Sequence, residues 1–262
     1  MKLSVVIITW NAARYLGDCI NSAIAATAHL DAEIIVVDNG STDETRTMLR
    51  SFSKQIFTVQ LEKNCGVAYA RNVGLRHAAG EYVWILDVDT VVNREAVDGM
   101  MAYIEGDEGC GLCACRLQSA DGETQDSCRR LPYLKYKIAN LLAGTKARKL
   151  LSQSQLNSVI CKQFYREQLL ESEPFEAEYL IGACQMFRRG LIDEVGYLDE
   201  NIFYGPEDAD FCLRISRKGY RIVCLPAFQI IHHYNRATNR RFFSALTLRH
   251  IKGLLYFYIK NR

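Results

Sequence analysis

Asp87 and Asp89 stand one residue apart at the exit of an unbroken apolar run, Tyr82 to Leu86. In extended backbone such positions face the same side, and two carboxylates there repel unless something positive lies between them. A hard divalent cation carrying a phosphorylated ligand suits the pair, because Mg2+ and Mn2+ favour oxygen donors and often bind through one or two carboxylates plus phosphate. An isolated Asp-x-Asp serves equally well as a polar loop after a core strand, so its neighbours decide. A second acidic group lies in Gly205-Pro206-Glu207-Asp208. Proline suits the first turn of a helix, which sets Glu207 and Asp208 at its positive end and leaves Asp210 to pair with Arg214 one turn on. Capping alone also explains an acidic helix start. A third group is His232-His233, after the apolar Phe228 to Ile231. One imidazole added to Asp87 and Asp89 completes a donor set for Mn2+; a surface pair after a strand is the plain alternative.

The elements that must position these groups alternate along the chain. Leu3 to Thr9, Glu33 to Val37, Phe57 to Leu61 and Tyr82 to Leu86 read as strands, the first and last of them buried. Helical patterns lie between them: Leu16, Ile20, Ala23 and Ile24 on one face; a segment after Asp38-Asn39-Gly40, with Ser41 or Thr42 as N-cap; and Ala68 to Ala78 after Asn64-Cys65-Gly66. This alternation predicts an α/β fold with a mostly parallel sheet and helices on its faces. Ligands in such sheets bind beyond the carboxyl ends of the strands, where Thr9, Asn11, Asp38, Asn64, Asp87 and Asp89 all fall. Asp38 suits a base or ribose hydroxyl, and Arg71 a base or phosphate. The chain has no Gly-x-Gly-x-x-Gly after its first strand and no Gly-x-x-x-x-Gly-Lys-Ser/Thr, so a dinucleotide-binding domain and a P-loop nucleotidase lose their main support.

Length and composition are consistent with this. The 262 residues, 49% hydrophobic and 24% charged, suit one large domain or one and a half, with an ample core. A net charge of +2 does not point to nucleic acid as a partner. Met-Lys runs directly into a strand with no secretory pattern, and no apolar run reaches a membrane span. The ten cysteines, among them Cys184, Cys212 and Cys224, then read as small core residues in a reducing compartment, and the expected location is the cytoplasm.

Taken together, Ser-Val-Val-Ile-Ile-Thr-Trp-Asn, Ile-Ile-Val-Val-Asp-Asn-Gly-Ser-Thr-Asp, Asn-x-Gly with Ala-Arg-Asn-Val-Gly, and Leu-Asp-Val-Asp resemble the nucleotide-binding half of family 2 glycosyltransferases with the GT-A fold. The resemblance implies a nucleoside-diphosphate sugar donor. Thr9, Trp10, Asn11, Asp38, Asn64, Gly66 and Arg71 match positions that cradle the nucleoside. Asp87-Val88-Asp89 matches the segment that holds the diphosphate through Mn2+ or Mg2+, with Asp89 the more direct ligand. The block from Val195 through Phe203-Tyr204-Gly205-Pro206-Glu207-Asp208 resembles the rhamnosyltransferase-like subgroup, which implies Asp208 as catalytic base with Glu207 supporting it or binding the acceptor. His232 matches the third metal ligand of some members. Asn235-Arg236-Ala237-Thr238 departs from the Gly and Ser common there, so Arg236, Thr238 or Arg240 would have to substitute in any phosphate contact.

The remainder carries less. Glu95 to Ile104 reads as a helix, Gly111 to Leu117 as a strand, Asp121-Gly122 as a hairpin turn, and Gly219 to Leu225 as a strand ended by Pro226. Cys110, Cys113, Cys115 and Cys128 lack the second Cys-x-x-Cys of a zinc ribbon. Residues 129–173 mix apolar residues with Arg129, Arg130, Lys135, Lys137, Lys146, Arg148 and Lys149, which suits a membrane surface, an acceptor cover or a solvated helix. Phe242 to Arg262, apolar with interspersed cations, suits a membrane-surface helix or one packed on the domain. The expected organisation is a catalytic domain over 1–232, with a nucleotide-sugar half (1–92) and an acceptor half (93–232), and a helical tail over 233–262 that would associate peripherally with the membrane.

The function expected is inverting sugar transfer from dTDP-rhamnose or a UDP-sugar to a glycan or lipid-linked acceptor in cell-surface polysaccharide assembly. Two other classes compete. A sugar-nucleotide nucleotidyltransferase should show a Gly-rich basic loop after its first strand, and Trp10-Asn11-Ala12-Ala13 is not one. A non-catalytic nucleotide-sugar binder should have a broken site, yet each expected carboxylate is present.

Overall fold

The computed structural model describes residues 1–143, 153–233 and 245–262. The apolar runs that cannot face water on either side form β1 (Leu3–Thr9), β2 (Ala32–Asp38) and β4 (Tyr82–Asp87), and the partly exposed β3 (Phe57–Gln60) closes the edge of this parallel core, in the order β3-β2-β1-β4. Helices α1 (Ala13–Thr27), α2 (Thr45–Ser51) and α3 (Val67–His77) make the crossovers. Beyond β4 the chain adds β5 (Thr90–Val91), α4 (Arg94–Gly106), β6 (Cys110–Gln118), β7 (Cys128–Arg129), α5 (Leu134–Ala143), α6 (Gln153–Cys161), α7 (Arg166–Leu170), β8 (Phe175–Glu176), β9 (Tyr179–Leu180), β10 (Cys184–Arg188), α8 (Leu191–Val195), α9 (Glu207–Arg217), β11 (Arg221–His232) and α10 (Ala245–Lys260). The sheet continues through β10, β6, β11 and β5, with β10 antiparallel to both neighbours and β11 parallel to β6. A small second sheet pairs β7 with β9. Trp84 and Phe187, fully buried on adjacent strands, anchor the core.

Two local expectations are corrected. Pro226 does not end its strand: β11 runs on to His232, and the ladder with β6 skips from Leu225–Cys115 to Gln229–Arg116. A proline has no N–H for a ladder and is tolerated at a bulge, and the skipped Phe228 packs on Gly99 of α4. Neither Ser41 nor Thr42 caps α2, which starts at Thr45. Those residues instead bind the loop after β1: Ser41 Oγ accepts from Asn11 N at 2.9 Å, and Thr42 N donates to Asn11 Oδ1 at 2.8 Å.

The C-terminal helix α10 packs on the domain through buried Phe257, through Gly253 against the Gly205 carbonyl, and through Lys260, which ion-pairs with Asp199 and Asp210 at 2.8 Å each. Its other face leaves Leu248, Ile251, Leu255 and Ile259 exposed. Among the described residues no helix is long and apolar enough to cross a membrane. The basic positions Lys146, Arg148 and Lys149, and the residues Asn235, Arg236, Ala237, Thr238 and Arg240, lie outside the described residues. The cysteines of β6 are buried in the sheet, with Cys115 Sγ 3.7 Å from Cys184 Sγ.

Candidate active site

Sheet pairing assembles the first group. β5 follows a turn at Val88-Asp89 and pairs antiparallel with the end of β11, with Thr90 opposite His232. Asp87 and Asp89 thus converge through a tight turn rather than along one pleat. Asp87, Asp89 and His232 present ligand atoms within 4.8 Å of one another, and His232 Nε2 lies 3.3 Å from Asp89 Oδ1. Two carboxylates and an imidazole form a donor set suited to Mn2+, and to Mg2+ through its oxygens. Burial opposes a charge on His232, but the hydrogen bond and charge of Asp89, with Asp87 behind it, more than offset this and raise its pKa. Burial pushes the Asp87 carboxyl up against the pull of Arg71, and the like charge of Asp89 adds to the rise. His233 turns away and stacks on Tyr15.

Gln125, which sequence reasoning missed, fixes the imidazole. Its Nε2 donates to the His232 carbonyl at 2.7 Å, so its Oε1 faces His232 Nδ1, also at 2.7 Å. That oxygen can only accept, so Nδ1 carries a proton; Nε2 faces Asp89, donating to it while the ring is charged and offering its lone pair to a cation once that second proton leaves. Partners of this kind orient metal ligands. Gln125→Leu is therefore expected to weaken Mn2+ binding about 10–100-fold in a calorimetric titration; an unchanged affinity would show that the clamp has no such role.

The second group is organised by Arg71. Its guanidinium is almost fully buried and bonds Asp87 Oδ1 at 2.7 Å, Glu207 Oε1 at 3.1 Å and the Gly182 carbonyl at 2.8 Å. Asn72 beside it grips the Leu198 backbone in both directions, at 2.8 and 3.0 Å. The Ala-Arg-Asn stretch thus brackets the two halves of the chain, with Arg71 turned inward rather than open to a base. Gly182 is needed here because a Cβ would sit 2.2 Å from Arg71 Nη1. Glu207 also accepts from Gly205 N. Burial, with the adjacent charge of Asp208, pushes Glu207 up to about 7 despite Arg71. Asp208 is half-buried and accepts from Gly182 N at 3.2 Å and Ala209 N at 2.8 Å.

Arg71, Asp87, Asp89, Glu207, Asp208 and His232 line one cleft of about 340 Å³. The other expected ligand positions surround the carboxyl ends of β1 to β3, outside that lining. Trp10 is exposed, and Thr9 is buried with its hydroxyl unpartnered. Asp38 is fully buried and already accepts from Ser41 N and Arg46 Nε, both at 2.9 Å. Asn64 accepts from Gly66 N at 3.0 Å and from Asn39 Nδ2 at 3.2 Å. Gly66, at φ +97°, brings the chain against Phe203, whose carbonyl accepts from Val67 N at 2.8 Å. Val88 sits in the turn between the two carboxylates.

A parallel nucleotide-type core extended by mixed strands, with acidic groups at the strand ends, defines a GT-A class α/β protein. The pattern of glycosyl transferase family 2 matches residues 4–196, and the chain belongs to that family. It is 27% identical over 214 residues to an uncharacterized glycosyltransferase of Nostoc sp., covering 78% of this chain and 64% of that one. It is 25% identical over 259 residues to the N-acetylglucosaminyl-diphospho-decaprenol L-rhamnosyltransferase of Mycobacterium tuberculosis, covering 95% of this chain and 81% of that one. The fold is similar to that of GalNAc-T7 solved with UDP, GalNAc and Mn2+, with a TM-score of 0.66 at 18% identity over 90% of this chain and 44% of that one. The chain spans less than two thirds of the length of the first curated relatives it matches.

Proposed function

We propose that the protein transfers a sugar, with inversion, from dTDP-rhamnose or a UDP-sugar to a hydroxyl of a glycan or lipid-linked acceptor in cell-surface polysaccharide assembly. Residues 1–92 would take the donor and 93–232 the acceptor, at the cytoplasmic face of the membrane. The observation that carries this reading is the single cleft joining Asp208 to Asp87, Asp89 and His232. Asp208 takes the proton of the acceptor hydroxyl as that oxygen attacks the anomeric carbon. Glu207 has the pKa of a better base, but it is buried, with Arg71 and Gly205 N on its oxygens; its part is to hold the loop that carries Asp208. A divalent cation held by Asp87, Asp89 and His232 supplies neutralisation of the charge on the departing diphosphate. Arg71 keeps Asp87 oriented from behind. The rhamnosyltransferase relative supports a lipid-linked acceptor, and the exposed apolar row of α10 supports surface placement.

The test is thermal shift with UDP, dTDP and GDP, with and without Mn2+. At a hundred times Kd the matching nucleotide should stabilise by about 2.7 kcal/mol, a rise of roughly 5–11 °C, lost with EDTA. Slow Mn2+-dependent hydrolysis of the matching sugar nucleotide should accompany it, and anionic vesicles should sediment the protein. Absence of any Mn2+-dependent nucleotide shift sinks the proposal.

A further inference from the structure

We infer that Arg129, Lys137 and His250 form a site for a phosphate-class anion carried by the acceptor, on the Asp208 side of the cleft. This rests on the transferase reading for the word acceptor, and on the cleft itself for the anion.

The three side chains come from three elements, β7, α5 and α10, and all line the cavity that holds Asp208. Arg129 and Lys137 bring the charge, while burial and the nearby Lys137 lower the His250 pKa, so its imidazole takes a second proton only when an anion joins it. Lys137 is half-buried there, and its ammonium has no hydrogen-bond or ion-pair partner among the described residues. A half-buried ammonium beside another cation is costly unless something negative joins it. Burial lowers the Lys137 pKa, and Arg129 lowers it further, with Asp208 pulling the other way. Arg129 is positioned by Nε donating to the Asp126 carbonyl at 2.7 Å and by stacking over Phe164. His250 Nδ1 donates to the Tyr204 carbonyl at 3.3 Å, which leaves Nε2 as its other polar atom.

Two carboxylates that flank the cleft near these side chains are committed elsewhere. Asp126 takes Arg166 at 2.6 Å, and Glu178 takes Arg130 and Leu131 N. No Asp or Glu occurs between Asp126 and Glu167, or anywhere after Asp210, so the acids that face the cluster are those of the cleft itself, Asp208 above all. The stretches that contribute all three side chains are thus free of acid, in a chain whose overall charge is only +2. Such a patch matches the oxygens of a phosphate or diphosphate. Its side is set by its electrostatic neighbours: Lys137 and His250 feel Asp208, whereas Asp87 feels Arg71, Asp89 and His232.

An acceptor phosphate could belong to a lipid diphosphate or to a phosphate-containing polymer. Calorimetry with farnesyl diphosphate and with glycerol 3-phosphate separates these, run on the full chain both alone and with Mn2+ and the nucleoside diphosphate that stabilises it. Lys137→Gln should weaken the bound probe about 10–100-fold, Lys137→Arg should retain it, and nucleotide affinity should not move. Binding of farnesyl diphosphate alone assigns the lipid, and of glycerol 3-phosphate the polymer. Equal probe binding by wild type and Lys137→Gln overturns the inference. So does one-for-one displacement of the probe by nucleotide together with weaker nucleotide binding in Lys137→Gln, which would give the cations to the donor. If no nucleotide binds the wild type, the transferase reading fails, while the runs without nucleotide still decide whether the anion site exists.

Discussion

Asp208→Asn is expected to lower transfer by about 10²–10⁴-fold, the usual contribution of a positioned general base, while Mn2+-dependent nucleotide binding stays within about twofold of wild type. The separation follows from the cleft. Asp87, Asp89 and His232 draw no hydrogen bond from Asp208, whose oxygens accept from Gly182 N and Ala209 N. The Asn carbonyl can keep one of those bonds, so the α9 start should survive with a cost of about 1 kcal/mol. The change also removes the neighbouring charge that helps raise Glu207, so Glu207 should ionise at lower pH in the variant. Kinetics and nucleotide titration on the same preparation check this. Loss of nucleotide binding with an unchanged residual rate would show that Asp208 serves the donor instead.

Arg71→Met should have the largest effect on stability. It leaves Asp87, Glu207 and the Gly182 carbonyl without their shared donor, and removing one partner of a buried pair costs about 3–5 kcal/mol. For a chain of this size that is a fall in Tm of roughly 6–20 °C. Burial and Asp208 raise Glu207 well above an ordinary carboxyl, so part of the loss should be relieved by protonation. Arg71 holds the wild-type Glu207 down to about 7, so the folded variant should take up its proton at higher pH than wild type, and its deficit should shrink as pH falls toward about 7 and level off below it. Arg71→Met combined with Glu207→Gln should recover part of the loss at neutral pH. A single variant with Tm within about 2 °C of wild type would mean that the bracket contributes little to folding.

The parallel core was legible because a strand buried on both faces must be written as a largely apolar run, and β1, β2 and β4 are; β3, at the sheet edge, is partly exposed. The acidic strand ends were legible for the same reason, since the run stops where the carboxylates begin. Pro226 was misread because a proline marks the end of a ladder and the site of a bulge with the same letter; only the partner strand β6 decides between them. Gln125 left no local signal: it meets His232 across 107 residues from a loop with no pattern of its own. Arg71 was visible, but its direction was not, because the carboxylates that turn it inward come from β4 and α9. Lys137 lay in a basic run that suits a membrane surface, an acceptor cover or a solvated helix alike, and its place beside Asp208 follows only once α5 is folded onto the cleft.

The loops after β1, β2 and β3 are laced to one another, Asn11 to Ser41 and Thr42, and Asn39 to Asn64 and Cys65. A nucleoside arriving at that rim would meet a receptor assembled during folding. Immobilising a residue costs about 1–2 kcal/mol of backbone entropy, and that expense is already behind the protein when its visitor appears. The contact energy then remains available for telling one base from another, which favours selective recognition over mere tightness.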